Sequence, residues 1–338
     1  MRARGEAVPS PQRTASRLRQ ANRRVLRRER CTVSRIRRSR GRFVKRRMAQ
    51  GKTIAVLGTG TMGGIFARRL LAAGMQVSVW DLNHAAAAKL AEAGAAVAER
   101  VEDAVAQADV VLTMVPTIAS IEETMPRALA AMKQDAIWLQ MSTIGVEGTQ
   151  RAYKLAGEKR ADVVFVDAPV SGSKTPAENG KLLILASGPA TALDVLAPVF
   201  DVLGQKTMRW ERVGAGSQMK LVMNTWLAVL GEGMAETATL AQSLDLPLED
   251  FAACLSSTQL NAPWALTKLQ KIQQNTFDAE FALGLATKDV HLALDAAAHA
   301  KAKLPVVESL AAQWDRALQA GYGDRDVIGA YLALGESA

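Results

Sequence analysis

Cysteine is scarce in this chain: Cys31 and Cys254 are the only two in 338 residues, which excludes a disulfide scaffold and fits a reducing compartment. The three histidines, His84, His291 and His299, lack zinc-ligand spacing, and no protein metal site is expected. No apolar run approaches the roughly 20 residues that span a bilayer, so no membrane partner is expected. What is present is 49% hydrophobic and 22% charged sequence, the composition of a soluble globular chain long enough for two ordinary domains.

The net charge of +9 divides unevenly. Residues 1–47 hold seventeen arginines and Lys45 against Glu6 and Glu29, a net +16, and the remaining 24 basic and 31 acidic residues leave −7 on the rest. The basic segment lacks apolar periodicity and is expected to be disordered. It reads as a nucleic-acid-binding arm, as an Arg-rich organellar transit peptide, or as upstream DNA translated from too early a start. Met48, followed at once by the first strand, favours the last reading. A cytoplasmic location follows, with an organelle as the alternative only if residues 1–47 are a transit peptide.

From Thr53 onward, short Val/Ile/Leu-rich runs (53–57, 76–80, 109–115, 136–141, 163–167 and 182–186) alternate with helical patterns such as 65–73 and 85–93. This rhythm predicts an α/β, Rossmann-type domain over 48–212 with a mostly parallel sheet and helices on both faces. Near Gly214 the apolar residues change to helical spacing, predicting an all-α domain over 213–338, with Pro247 and Pro305 opening helices.

Three stretches carry chemistry. The first strand runs into Gly58-Thr59-Gly60-Thr61-Met62-Gly63, a G-x-G-x-x-G turn. Gly58 allows the tight turn, Gly60 lets backbone amides approach a pyrophosphate, and Gly63 lets the helix pack closely on the strand. Asp81 ends the second strand, placed to hold ribose hydroxyls and to repel a 2′-phosphate; the alternative is a cap on the helix near His84. The second stretch, Asp167 to Gly180, is a polar loop at a strand's carboxyl end, where Ser171, Gly172 and Ser173 offer hydroxyls and amides to a carboxylate. In the third, Gly214 and Gly216 open a helix that puts Lys220 and Asn224 on one face. A lysine on that otherwise apolar face is expected to be partly desolvated, with its pKa lowered toward the range useful for proton transfer; the alternative is a lysine that snorkels to solvent.

In this order the glycine turn with Met62, Asp-Ala-Pro-Val-Ser-Gly at 167–172, the Gly-x-Gly helix with Lys220 and Asn224, and Lys288-Asp289 resemble the four motifs of the β-hydroxyacid dehydrogenases. The resemblance covers about residues 52–335, including the Gly323-Asp324-Arg325-Asp326 turn. Pro169 to Gly180, with Phe281 ahead of Lys288-Asp289, is most similar to the glyoxylate and succinic semialdehyde reductase branch.

The resemblance implies an NAD(P)-dependent dehydrogenase or reductase of small hydroxy acids and semialdehyde acids. It implies Lys220 as general acid/base, Ser171, Gly172 and Ser173 as the substrate-carboxylate loop, and Asn224 as the amide that holds substrate near the lysine. Thr143 matches a position beside nicotinamide and substrate, Lys288 a position near the cofactor, and Asp289 and Phe281 the lining of the same cleft. Gly58, Gly60, Thr61, Met62, Gly63 and Asp81 complete the cofactor set.

Two departures stand out. Ser173 and Met223 replace a glycine and an asparagine common in the family. Asp81-Leu82-Asn83 replaces the Asn-Arg-Thr common in the reductase branch, which favours NAD over NADP.

Two other readings remain: an imine reductase on the same scaffold, against which Lys220 argues, and a nucleic-acid-binding protein with a dehydrogenase-like module. The hydrophobic helices at 221–229 and 292–300 predict a homo-oligomer, with burial inside one chain as the alternative.

Overall fold

β-Branched and apolar runs become strands wherever both faces of a sheet are covered, and the computed structural model, which describes residues 52–335, follows that rule. The expectations for residues 1–47 and for a start at Met48 lie outside the described residues. The first part alternates: β1 (Thr53–Leu57), α1 (Thr61–Ala72), β2 (Gln76–Trp80), α2 (His84–Ala88), β3 (Ala96–Val97), α3 (Val101–Val105), β4 (Val110–Thr113), α4 (Ile118–Ala131), β5 (Ile137–Gln140), α5 (Gly145–Lys159) and β6 (Val164–Asp167). There follow β7 (Val170–Ser171), α6 (Lys174–Glu178), β8 (Leu182–Ser187), α7 (Ala190–Leu203) and β9 (Gly204–Trp210). The last part is helical, with α8 (Ala215–Ser243), α9 (Leu248–Ser256), α10 (Pro263–Gln273), α11 (Leu283–His299), α12 (Pro305–Gln319) and a closing 3₁₀ helix, Val327–Leu334.

The sheet runs β3-β2-β1-β4-β5-β6-β8-β7, with β9 on β8. Pairing is parallel from β3 to β6 and again between β8 and β9, and antiparallel where β8 meets β6 and β7. Every residue of β4 and β5 is buried. Trp138 of β5 meets the Phe165 ring edge-on at 5.0 Å and donates its indole N–H to Thr113 Oγ1 at 3.0 Å. Strand order reverses between β1 and β4, which opens a crevice at their carboxyl ends.

The mostly parallel sheet and the helical second part agree with the sequence expectation. Three strands were not legible. β3 and β7 are two residues long, too short for periodicity, and β9 is a largely polar strand. The stretch 167–180, expected as a loop, begins on the last residue of β6 and contains β7 and α6, and the helix expected over 85–93 ends at Ala88.

Helix α8 joins the two parts. Its 29 residues extend about 43 Å at 1.5 Å per residue. Its first turns lie against the sheet, where a Cβ on Gly216 would come within 2.0 Å of the Leu185 carbonyl oxygen. Its later turns pack among Leu283, Val290, Leu310 and fully buried Trp314.

Glu232 is a carboxyl buried against that helical core. Trp314 Nε1 donates to its Oε2 at 2.7 Å, and Oε1 is buried without a partner. Burial, assisted by the charge of Glu236 and opposed by the Trp314 bond and Arg316, pushes Glu232 up to about 7 from 4.5. Because the folded state holds this proton more tightly than the unfolded chain, the native state is penalised as pH rises from about 4.5 to about 7, by about 3 kcal/mol above that window. Glu232→Gln is therefore expected to raise the thermal midpoint by several degrees at about pH 8 and to match the native protein near pH 4. Melting curves across pH test this; a difference independent of pH contradicts it.

Candidate active site

The glycine turn lies at the point where strand order reverses. Gly58 adopts φ +92°, and a Cβ there would sit 2.3 Å from the carbonyl oxygen of Met114, just beyond β4. A Cβ on Gly63 would sit 1.9 Å from the Gly58 carbonyl oxygen, so the first turn of α1 touches the strand it follows. A Cβ on Gly60 would meet nothing within 4 Å. The turn is thus tight beneath Gly58 and Gly63 and open over Gly60, as a pyrophosphate cradle at the start of a helix requires. Thr61 is exposed and Met62 half-buried at the head of α1.

A cavity of about 390 Å³ adjoins the turn, lined by Thr59, Gly60, Thr61, Arg68, Lys89 and Lys174 among others. Its basic residues suit phosphate oxygens.

Asp81 follows β2 and faces the turn. Its Oδ2 accepts from the Thr59 amide at 2.5 Å and from Thr59 Oγ1 at 3.0 Å, while Oδ1 accepts from the Asn83 amide at 2.8 Å. The Asn83 bond lies just ahead of α2, whose first turn takes no side-chain cap, so Asp81 does not cap that helix and instead ties the glycine turn to β2. A carboxylate has about four acceptor positions, so these three bonds leave room for one further donor.

The other half of the site starts with Asp167 at the end of β6, which the sequence reading left without a role. Asp167 accepts from the Ser217 amide at 2.9 Å, from Ser217 Oγ at 2.7 Å and from Ser187 Oγ at 3.0 Å, and Ser187 Oγ accepts from the Gly216 amide at 3.1 Å. These bonds fasten the N-terminus of α8 to the ends of β6 and β8. Burial pushes Asp167 up to about 6, against the bonds from Ser217 and Ser187 that favour the anion. The start of a helix, with its unpaired N–H groups, is where an anion is best placed.

Lys220 lies one turn further along α8, half-buried, with no hydrogen bond or ion pair to its ammonium among the described residues. Desolvation lowers its pKa, Lys288 adds repulsion, and Asp289 opposes both.

Asn224, the next turn of the same face, donates Nδ2–H to Asp289 Oδ2 at 2.6 Å. Lys288 donates to Asp289 Oδ1 at 2.7 Å and to the Thr143 carbonyl oxygen at 2.6 Å. One network thus links Asn224 on α8, Lys288 and Asp289 on α11 and Thr143 after β5, with Lys220 beside it.

The Ser171–Ser173 loop is held separately. Gly172 adopts φ +130°, and a Cβ there would come within 2.7 Å of Leu182. Ser173 Oγ donates to Glu280 Oε2 at 3.1 Å, so this expected substrate donor is engaged by the protein's own carboxylate. Phe281, next to Glu280, packs on the core around Trp314, and its carbonyl accepts from the Val327 amide at 2.8 Å. No hydrogen bond among the described residues links this loop directly to Lys220. No group of three or more His, Cys, Asp or Glu side chains placed to hold a metal occurs among them either.

Asp167, Glu280 and Glu232 were missed by sequence reasoning. Asp167 had a signal, since an acid at a strand end and a serine in the first turn of the Gly-opened helix form a capping pair. The other two had none.

A doubly wound sheet with an open glycine turn, joined by a lysine-bearing helix to a helical domain, defines a nicotinamide-dinucleotide-dependent oxidoreductase. Residues 53–213 match the family described as NAD binding domain of 6-phosphogluconate dehydrogenase, and residues 214–334 match NAD-binding of NADP-dependent 3-hydroxyisobutyrate dehydrogenase. The chain is 30% identical over 285 residues to NAD-dependent L-serine dehydrogenase of Pseudomonas aeruginosa, covering 81% of this chain and 95% of the relative. It is 28% identical over 276 residues to glyoxylate/succinic semialdehyde reductase 1 of Arabidopsis thaliana, covering 81% and 95%. A solved structure of Mycobacterium tuberculosis 3-hydroxyisobutyrate dehydrogenase with L-serine superposes with TM-score 0.77 at 30% identity, covering 84% of this chain and 99% of that one. The chain belongs to the β-hydroxyacid dehydrogenase family and is an NAD(P)-dependent hydroxyacid dehydrogenase.

Replacing Asp289 by Asn removes the carboxylate that favours the charged form of Lys220. The lysine pKa then falls further, and the alkaline limb of the pH–rate profile is expected to move to lower pH. A pH–rate profile of Asp289→Asn with an unmoved limb contradicts this.

Proposed function

We propose that Lys220 is the general acid and base in reversible hydride transfer between a nicotinamide dinucleotide and a small hydroxy acid or semialdehyde acid of the glyoxylate, succinic semialdehyde or 3-hydroxyisobutyrate type. The observation that carries this reading is the half-buried, unbonded Lys220 ammonium, with its pKa lowered by desolvation, beside the Asn224–Asp289–Lys288–Thr143 network. The dinucleotide supplies the hydride when bound. Gly58, Gly60, Thr61, Met62 and Gly63 hold its phosphates, Asp81 its ribose, and Thr143 and Lys288 border its reactive end. Ser171 and the amides of Gly172 and Ser173 hold the substrate carboxylate, while Asn224, Phe281 and Asp289 shape the remaining wall.

In reduction the Lys220 ammonium gives a proton to the carbonyl oxygen; in oxidation the neutral amine takes the proton of the hydroxyl. A lysine with a lowered pKa populates both forms closer to neutral pH than an ordinary one. Lys288, held to the Thr143 carbonyl and Asp289, contributes the repulsion that favours the neutral amine.

Lys220 also argues against imine reduction, whose enzymes on this scaffold usually lack the lysine. A nucleic-acid role would rest on residues 1–47 alone. We place the domain division at 212/213, within the turn ahead of α8, and the enzyme in a reducing, cytoplasmic compartment. Exposed Val222 and Trp226 on α8 support a homo-oligomer. No helix among the described residues is long and apolar enough to cross a membrane.

Lys220→Ala is expected to lower kcat/KM by at least about 1,000-fold while leaving cofactor affinity within about threefold. Steady-state kinetics with a fluorescence titration of the reduced cofactor test this, and near-native turnover contradicts it. The charge of Asp81 supports NAD over NADP. Asp81→Ala is expected to narrow the NAD/NADP ratio of kcat/KM by at least about tenfold; a native preference for NADP contradicts this part.

A further inference from the structure

Glu280 lies between α10 and α11 and is fixed at both ends. Its amide donates to Asp326 Oδ2 at 3.0 Å. Asp326 is itself buried and paired with buried Lys268 at 2.7 and 3.0 Å. From this anchored backbone the side chain reaches the substrate loop. Oε2 accepts from Ser173 Oγ at 3.1 Å and from the Thr175 amide at 3.2 Å, and Oε1 accepts from Thr175 Oγ1 at 3.0 Å. Burial works against the charge, but the bonds from Thr175 and Ser173, with Lys268 nearby, hold the carboxyl below its ordinary range. It is an anion at neutral pH.

Two consequences follow. The Ser173 hydroxyl is already satisfied by a carboxylate, which leaves Ser171 Oγ and backbone amides to receive the substrate's. The charge beside them is favoured by Lys268 only from a distance and, among the described residues, makes no direct ion pair. Lys268 is consumed by Asp326, Lys174 is exposed and lines the cavity by the glycine turn, and no ion pair to Glu280 occurs among the described residues. A fixed anion beside the carboxylate clamp disfavours each further negative charge on the ligand.

We propose that Glu280 is a positioning residue that sets the charge selectivity of the substrate site. It shapes the 171–175 loop and ranks acids by net charge, favouring one with a compensating ammonium group, then a monoanion, over a dianion. This rests on the reading of residues 171–173 as the carboxylate clamp.

The test compares Glu280→Gln with the native protein on L-serine (net charge zero), 3-hydroxyisobutyrate (one negative charge) and 2-(hydroxymethyl)glutarate (two). The readouts are kcat/KM and, independently of turnover, the Kd of each acid for the NAD-saturated protein by calorimetry. Relative to the monoanion, the variant is expected to gain about tenfold on the dianion and lose about tenfold on the zwitterion, while Glu280→Asp keeps the native order. An equal factor on all three acids would mean a merely structural role and overturns the proposal. Should circular dichroism show Glu280→Gln unfolded, Glu280→Ala gives the same charge series. A native protein that oxidises none of the three with either cofactor contradicts the assigned reaction instead, and the calorimetric series still decides the role of Glu280.

Discussion

Asp167, buried at the carboxyl end of β6, receives the first turn of α8 through Ser217 and, with Ser187, fixes where that helix starts. Every later residue of α8 inherits its position from this contact. Ser217 sets the rotation and height of Lys220 three residues on, and Asn224 follows one turn later. Gly216 makes the contact possible, because any side chain there would collide with the Leu185 carbonyl. The arrangement costs free energy, as the raised pKa of Asp167 records, and the two serines and the helix start offset much of it. Strain of this kind is better tolerated at a functional junction than in a plain core.

The contact also brings the two halves together. The sheet half offers a glycine turn with tight packing beneath and open space above, at the place where strand order reverses. The helical half offers a desolvated lysine beside an Asp–Lys–Asn network. Lys288 bridges them by donating to the Thr143 carbonyl, which belongs to the sheet half. A second bridge, from Glu280 to Ser173 and Thr175, holds the 171–175 stretch against the helical half. Both bridges are made by a few charged groups that are part-buried or exposed, each held by more than one hydrogen bond.

Local features were legible in the sequence. The glycine turn could be read because the positive φ of Gly58 and the contact of Gly63 with the Gly58 carbonyl are local backbone constraints, even though Gly58 also lies against the distant Met114 carbonyl. Lys220 and Asn224 could be placed on one face because helical spacing is fixed, and the parallel sheet followed from the spacing of β-type runs. The partners of these residues could not be read. Asn224 and Asp289 are 65 positions apart, Ser173 and Glu280 107, and Thr143 and Lys288 145, and no periodicity spans such separations. The sequence reading thus offered Ser173 as a free hydroxyl for substrate, and only the fold reveals the carboxylate that occupies it. The strands β3, β7 and β9 escaped for a different reason, since two residues or a polar edge leave no alternation to detect.

Hydride transfer to a small carboxylate-bearing carbonyl is the reaction proposed for this junction. Its most direct measurement is the reduction of succinic semialdehyde with a nicotinamide dinucleotide doubly deuterated at C4, followed by mass spectrometry of the product. The account predicts one deuterium on the carbon that bears the new hydroxyl. A product without deuterium, or no product with either form of the cofactor, would contradict it.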